Sequence, residues 1–309
     1  MARYVRKLAM LAKIETTYGT DSVPTGSANA IQALDVTLTP LSGTDEQRDL
    51  IKPWMGHPGI MLTGNYGMVE LGVELAGAGA AGGVPGYGPL LRACGLSETV
   101  TADTDVEYAP ISTGFEAVSL YYNLDGVRHI LLGARGNVSI DISATRRIPR
   151  LRFRLLGLLG TVSDQALPAV TYTGFVKPVP VSKANTTFSL HSYEGATESI
   201  AIDLGNQVEP RLLINHESIQ VSDRRVSGSA VMEATLLATK NWQSIALGHT
   251  TGAMAIVHGT VAGNIVEIDA PAVQIGRYGQ GESQGILNNT LPMMMLPSAG
   301  NDELVITVM

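Results

Sequence analysis

The sequence predicts a mainly β protein: two tandem antiparallel β-sandwich or barrel modules, each with one short helix, plus an extended N-terminal arm and long loops. Three observations predict it. Short runs alternate apolar and polar residues with a period of two, the pattern of strands with one buried face. Helical patterns are confined to two short stretches, 89–96 and 238–247. Strand patterns of the first half also return in the second, as in an internal repeat.

Residues 1–29 combine a short amphipathic piece with TTYGTDSVPTGSANA, whose Gly, Pro, Asp and Ser mark irregular backbone, and are expected as an arm. The first module is expected over 30–178. It opens with a strand at 34–39 (LDVTLT) that Pro40 stops, followed by a long polar loop at 41–65. The clearest strand comes next, where Val69, Leu71, Val73 and Leu75 alternate with Glu70, Gly72, Glu74 and Ala76. One face enters a core and the other carries acid. A Gly/Ala-rich stretch after it is too poor in side chains to pack by itself and reads as mobile. Strands at 106–108, 117–124, 127–132, 137–142 and 150–156 follow the first helix, with Asp125-Gly126 as a hairpin turn.

A Pro-marked linker, LPAVTYTGFVKPVPVSK, leads into the second module, 179–309, with strands expected at 212–221, 228–237, 253–258, 264–269 and 302–308. In the repeat, GMVELGVELA answers to GSAVMEATLLA, LLRACG to SIALG, GNVSIDISA to GNIVEIDAPA and PRLRFRL to DELVITV.

Hydrophobic residues make up 45% of the 309 and charged residues only 16%, so much of the surface is neutral, as in a protein covered by copies of itself. A net charge of -7 argues against nucleic-acid binding by phosphate neutralisation. It leaves open a conduit through which DNA passes. The single cysteine, Cys94, excludes internal disulfides and Cys-based zinc sites, and it reads as a small buried hydrophobe. Lys13 and Glu15 interrupt the apolar N-terminal patch before it reaches signal-peptide length, and no apolar run approaches a membrane span.

Catalytic chemistry has no sequence signature here. Gly77, Gly79 and Gly82 spell G-x-G-x-x-G after a strand, but Gly83, Pro85, Gly86 and Gly88 prevent the helix that a dinucleotide site requires. Neither a phosphate-cradling loop nor a G-x-S-x-G elbow occurs, and the six histidines lack metal-ligand spacing. No cofactor, metal or catalytic residue is expected. Arg150, Arg152 and Arg154 project from one strand face, extended by Arg146 and Arg147; a solvated face, a neighbour's carboxylates and DNA are the readings in that order. Glu70 and Glu74, with Glu233 at a comparable place in the second half, line an acidic channel if subunits close into a ring with this face inward. The acid would let DNA slide without being held.

The segments AKIETTYGTDSVPTGSANAI, VTLTPLSG, VELAGAGAAGGVPGYGPLLRACG, NLDGVRHILLGARGNVSIDI and IPRLRFRLLGL together resemble the major tail (tail tube) proteins of long-tailed, non-contractile bacteriophages. The likeness covers most of the first half, and in the second it lies mainly in architecture. It implies tail-tube-like modules in a non-enzymatic virion protein, assembled in the host cytoplasm into stacked rings around a DNA conduit. Related tubes have six such modules per ring, so two modules per chain favour a trimeric pseudo-sixfold ring over a hexamer. The resemblance makes the arm, the 41–65 loop and the loop of Gly77, Gly79 and Gly82 candidates for reaching neighbouring copies, and the arginine strand is a further inter-subunit candidate. Implied partners are further copies of the chain, tape measure, terminator and distal tail proteins, and DNA in transit, with no membrane. The alternative is a non-enzymatic virion β-sandwich that binds or decorates.

Overall fold

The computed structural model describes residues 2–144 and 148–309. Its N-terminal half runs through β1 (Leu8–Ile14), β2 (Ala30–Ile31), β3 (Leu34–Gln47), β4 (Ile60–Glu74), helix α1 (Gly88–Ala93), β5 (Thr99–Thr101), β6 (Asp105–Tyr108), β7 (Val118–Leu124), β8 (Val127–Ser143), β9 (Arg150–Leu159) and β10 (Ser163–Asp164). The C-terminal half runs through β11 (Thr186–Leu190), β12 (Thr197–Asp203), β13 (Asn206–Leu213), β14 (His216–Arg224), β15 (Ser227–Glu233), helix α2 (Trp242–Leu247), β16 (Thr251–His258), β17 (Val266–Ile275), β18 (Gly279–Ser283), β19 (Ile286–Met295) and β20 (Val305–Val308). The protein is mainly β with two short helices, as the alternating pattern predicts.

Neighbouring strands in the N-terminal half follow the order β1, β7, β8, β9, β4, β3, all antiparallel. The C-terminal half follows β11, β16, β17, β19, β15, β12, with β18 pairing β19 beyond the end of β17. Two seams join the halves. The far end of β8 pairs with β12, setting Ile140 and Ile142 opposite Ile202 and Ile200, and β20 pairs with both β17 and β6. Each of these four isoleucines is buried, which stabilises the seam by about 1.5–3 kcal/mol per side chain. One hydrophobic core runs across both halves.

β8 serves two neighbours because it is kinked. Gly133 takes φ 57°, a left-handed conformation that glycine adopts cheaply, and the register against β9 shifts between Leu132 and Arg135. Before the kink one edge of β8 pairs with β7; beyond it β12 takes that edge. β7 is buried on both faces, with Val118, Leu120 and Tyr122 in the main core and Tyr121 in a smaller cluster with Leu11, Ala30 and Ile130. Helix α1 starts with Pro89 in its first turn and buries Leu90 and Leu91 completely.

Several sequence expectations are corrected. Leu8–Ile14 lies within the segment expected as an arm, yet it forms β1, with Met10 and Ala12 in the main core and Leu11 in the smaller cluster. The 41–65 stretch is mostly the outer part of a long β3–β4 hairpin, leaving only 48–59 as loop. Strands expected separately at 127–132 and 137–142 are the single strand β8. The strand expected at 212–221 is broken by a turn in which Asn215 takes φ 65°, giving the β13–β14 hairpin. The expectation for Arg146 and Arg147 falls outside the described residues. Among the described residues, no helix is long and apolar enough to cross a membrane.

Candidate functional site

Alternation along β9 buries Leu151, Phe153 and Leu155 and turns Arg150, Arg152 and Arg154 to the opposite face. Antiparallel register sets Arg154 opposite Glu70, Arg152 opposite Gly72 and Arg150 opposite Glu74 on β4. The arginines therefore share their face with the glutamates, which were expected to serve a separate role. Arg154 Nε lies 3.5 Å from Glu70 Oε1, and Arg150 pairs with Asp35 of β3 at 3.4 Å. Such exposed pairs contribute about 0–1 kcal/mol each, but they relieve the repulsion among three aligned guanidinium groups.

On its other edge β9 meets Asn137, Ser139 and Asp141 of β8, which face Asp203 and Ala201 of β12 across the seam. Asn137 donates to Asp203 at 2.6 Å. Farther on, Ser227 and Ser229 of β15 face Met294 and Pro292 of β19. The strip thus runs from mixed charge to neutral side chains. Glu233 ends β15 on the same face, exposed and opposite Asn288, well away from the arginines along the strands.

The Gly/Ala stretch is held in place within the chain. Gly77 donates to Asn264 Oδ1 at 2.9 Å and Gly79 to the Gly263 carbonyl at 2.7 Å. A Cβ on Gly77 would lie 2.2 Å from the Gly263 oxygen. Gly82 takes φ 70°, and a Cβ there would lie 2.5 Å from the Asp103 nitrogen. Gly77 and Gly79 of the rejected dinucleotide motif bring the turn after β16 against the stretch that follows β4, and Gly82 packs against the turn between β5 and β6.

The remaining polar groups read as structural. Buried Glu15 accepts from Gly19 N, Ser119 Oγ and Gly133 N, which clamps the segment after β1 to the kink in β8. Arg135 stacks on Tyr18 and donates to the carbonyls of Phe115, Glu116 and Ile219. His258 is buried between Thr186 Oγ1 and the Val179 carbonyl, and desolvation lowers its pKa. Burial pushes the Cys94 thiol well above its ordinary range. Among the described residues no cluster of His, Cys, Asp and Glu has the form of a metal site.

Uncovered surface of two kinds bears on assembly. Toward the tip of the β3–β4 hairpin, Leu50, Ile51, Trp54, Met55, Ile60, Met61 and Leu62 are all exposed, with Ile51 and Met55 bare to solvent. Such a patch on a soluble protein marks an interaction site. The outer edges of β3 and β18 also have no strand beside them among the described residues.

The phage tail tube protein family matches residues 6–294. The chain belongs to that family. It is a major tail tube protein, a structural component of the virion tail that assembles with itself and with other tail proteins, and the family implies a non-enzymatic role. No curated protein matches the chain. The tail tube identity gives the bare hairpin tip and the open strand edges a setting, since a polymer must cover both. The hairpin tip lacks the alternation by which the sequence marks core strands, and it surfaces only as a run of bulky residues, LIKPWMGHPGIML, in an otherwise polar stretch.

Proposed function

We propose that this tail tube protein polymerises as stacked rings around a bore that conducts DNA during infection, with three copies forming a pseudo-sixfold ring. The mixed strip of β4, β9, β8 and β12 faces the bore, where Glu70, Glu74, Asp141 and Asp203 outnumber the three arginines by one. DNA then meets a wall of weak net charge, which binds it poorly and lets it slide. The hairpin tip carries the reading: Ile51, Trp54 and Met55 form an apolar surface that their own chain leaves bare, as a contact to the next ring requires. Tape measure, terminator and distal tail proteins meet the tube along its bore and at its ends, and assembly takes place in the host cytoplasm. Electron microscopy of the purified protein tests this. Rings and tubes with a central hole are expected, and monodisperse compact particles at every concentration and salt would overturn it.

A further inference from the structure

Seven strands and the helix of the first half have counterparts in the second, which the pairing makes more explicit than the residue patterns do. In chain order β1, β3, β4, α1, β7, β8, β9 and β10 correspond to β11, β12, β15, α2, β16, the consecutive pair β17 and β18, β19 and β20. Each pairing in the first set has its counterpart: β1–β7 with β11–β16, β3–β4 with β12–β15, β4–β9 with β15–β19, β7–β8 with β16–β17, β8–β9 with β18–β19, and β8–β10 with β17–β20. The counterpart of RLRFRL is therefore β19, not the β20 strand that the residue pattern suggests.

Of the two seams that join the halves, one joins strands whose counterparts lie at open edges. The far end of β8 pairs with β12, the first strand of the second half's hairpin layer. The corresponding strands are β18 and β3, and each has one open edge. We infer that β18 pairs antiparallel with β3 of the next copy, so that the seam inside the chain and the joint between chains are the same contact. This rests on the tube reading and names the edges that close the ring.

The register follows from ladders already in place. Glu74 and Glu233 end β4 and β15, and their partners Arg150 and Asn288 correspond. Across from these lie Asp141 on β8 and Gly281 on β18. On the other side Thr37 faces Glu70, as Ala201 faces Ser229. Within the chain Asp141 faces Ala201, so Gly281 faces Thr37 of the next copy, flanked by Gly279 opposite Thr39 and Ser283 opposite Asp35. A head-to-tail contact of this kind closes into a ring and removes every free edge of the layer. Exposed β18, sequence GQGES, has no apolar side chain to drive the pairing, so backbone hydrogen bonds form the joint and half-buried Val36 and Leu38 of β3 cover its inner side. In the internal seam that cover comes from isoleucines.

The test joins Gly281→Cys with Thr37→Cys in the full chain. No atom lies within 4 Å of a Cβ at Gly281, and native Cys94 is buried, so folding and background reactivity stay unchanged. Oxidation, or a short thiol-to-thiol reagent, applied to assembled protein is expected to give covalent dimers and closed trimers on a non-reducing gel, with neither single substitution doing so. Hydrogen exchange on the wild-type chain is the second readout: amides of 279–283 and 34–39 are expected to slow at least tenfold between monomer and tube. Tubes that form without cross-links and without this protection overturn the joint and leave the tube reading standing. A chain that forms neither rings nor tubes overturns both. Protection of either edge only when another tail protein is added also overturns pairing between copies.

Discussion

Gly77 has no room for a methyl group. Its Cβ would meet the Gly263 carbonyl oxygen at 2.2 Å, and that oxygen belongs to backbone that already accepts from Gly79. Gly77→Ala is therefore expected to destabilise the monomer by about 1–3 kcal/mol, the usual cost of overpacking, read as a lower urea midpoint at unchanged slope. His258 acts through charge instead of shape. Burial against Thr186 and the Val179 carbonyl lowers its folded-state pKa, so as pH falls the unfolded chain takes up a proton first. Its contribution is present above the unfolded value of about 6.5 and is lost as pH falls below it. Between pH 7 and 5 the wild type should lose stability more steeply than His258→Gln. Parallel slopes for the two proteins would show that His258 takes up its proton alike in the folded and unfolded states, which would remove the effect.

At the scale of elements, the β3–β4 hairpin divides into a part that packs beside the core and a part that projects from it. Its inner rungs pair Thr37 with Glu70 and Leu38 with Val69 beside the core, while its outer rungs, from Ser42 opposite Tyr66 to Gln47 opposite Ile60, project beyond it. Replacing 48–59 with a two-residue turn removes Leu50, Ile51, Trp54 and Met55 and touches no buried side chain. The expected product is a monomer with an unchanged circular-dichroism spectrum that forms rings and no tubes in electron micrographs. Tubes of normal length would remove the hairpin tip from the stacking contact. The same hairpin shows why parts of the fold are legible in the sequence and others are not. Period-two alternation marks a strand with one wet and one dry face, so 69–75 is plain. It fails for β1, whose residues LAMLA are dry on both faces, and for the outer hairpin, which is wet on both. It fails again for β18, whose GQGES has nothing apolar to alternate. The arginine and glutamate faces are each visible in the sequence, but their meeting depends on register between distant strands, which no local pattern encodes.

At the scale of the whole molecule, the proposed tube makes the charge of the mixed strip a matter between copies. Within one chain Arg150, Arg152 and Arg154 are flanked by Glu70 and Glu74 on β4 and by Asp141 on β8. In the proposed ring the strip would repeat, so each copy would add the same carboxylates to one narrow space. Changing the three arginines to Gln leaves the core untouched and takes the net charge from -7 to -10. The isolated chain should barely notice, because exposed ion pairs contribute at most about 1 kcal/mol each. Assembly should notice, because the carboxylates would then face one another around the proposed bore without counter-charge, and their repulsion reaches across roughly a Debye length of 8–10 Å at ordinary salt. The triple variant is therefore expected to form tubes near 1 M salt, where that length falls to about 3 Å, and to remain unassembled near 0.05 M, where the wild type still polymerises. Light scattering across a salt series gives the measurement. Tubes from the variant at low salt, in wild-type yield, would mean that the strip faces outward into open solvent and that another surface lines the bore.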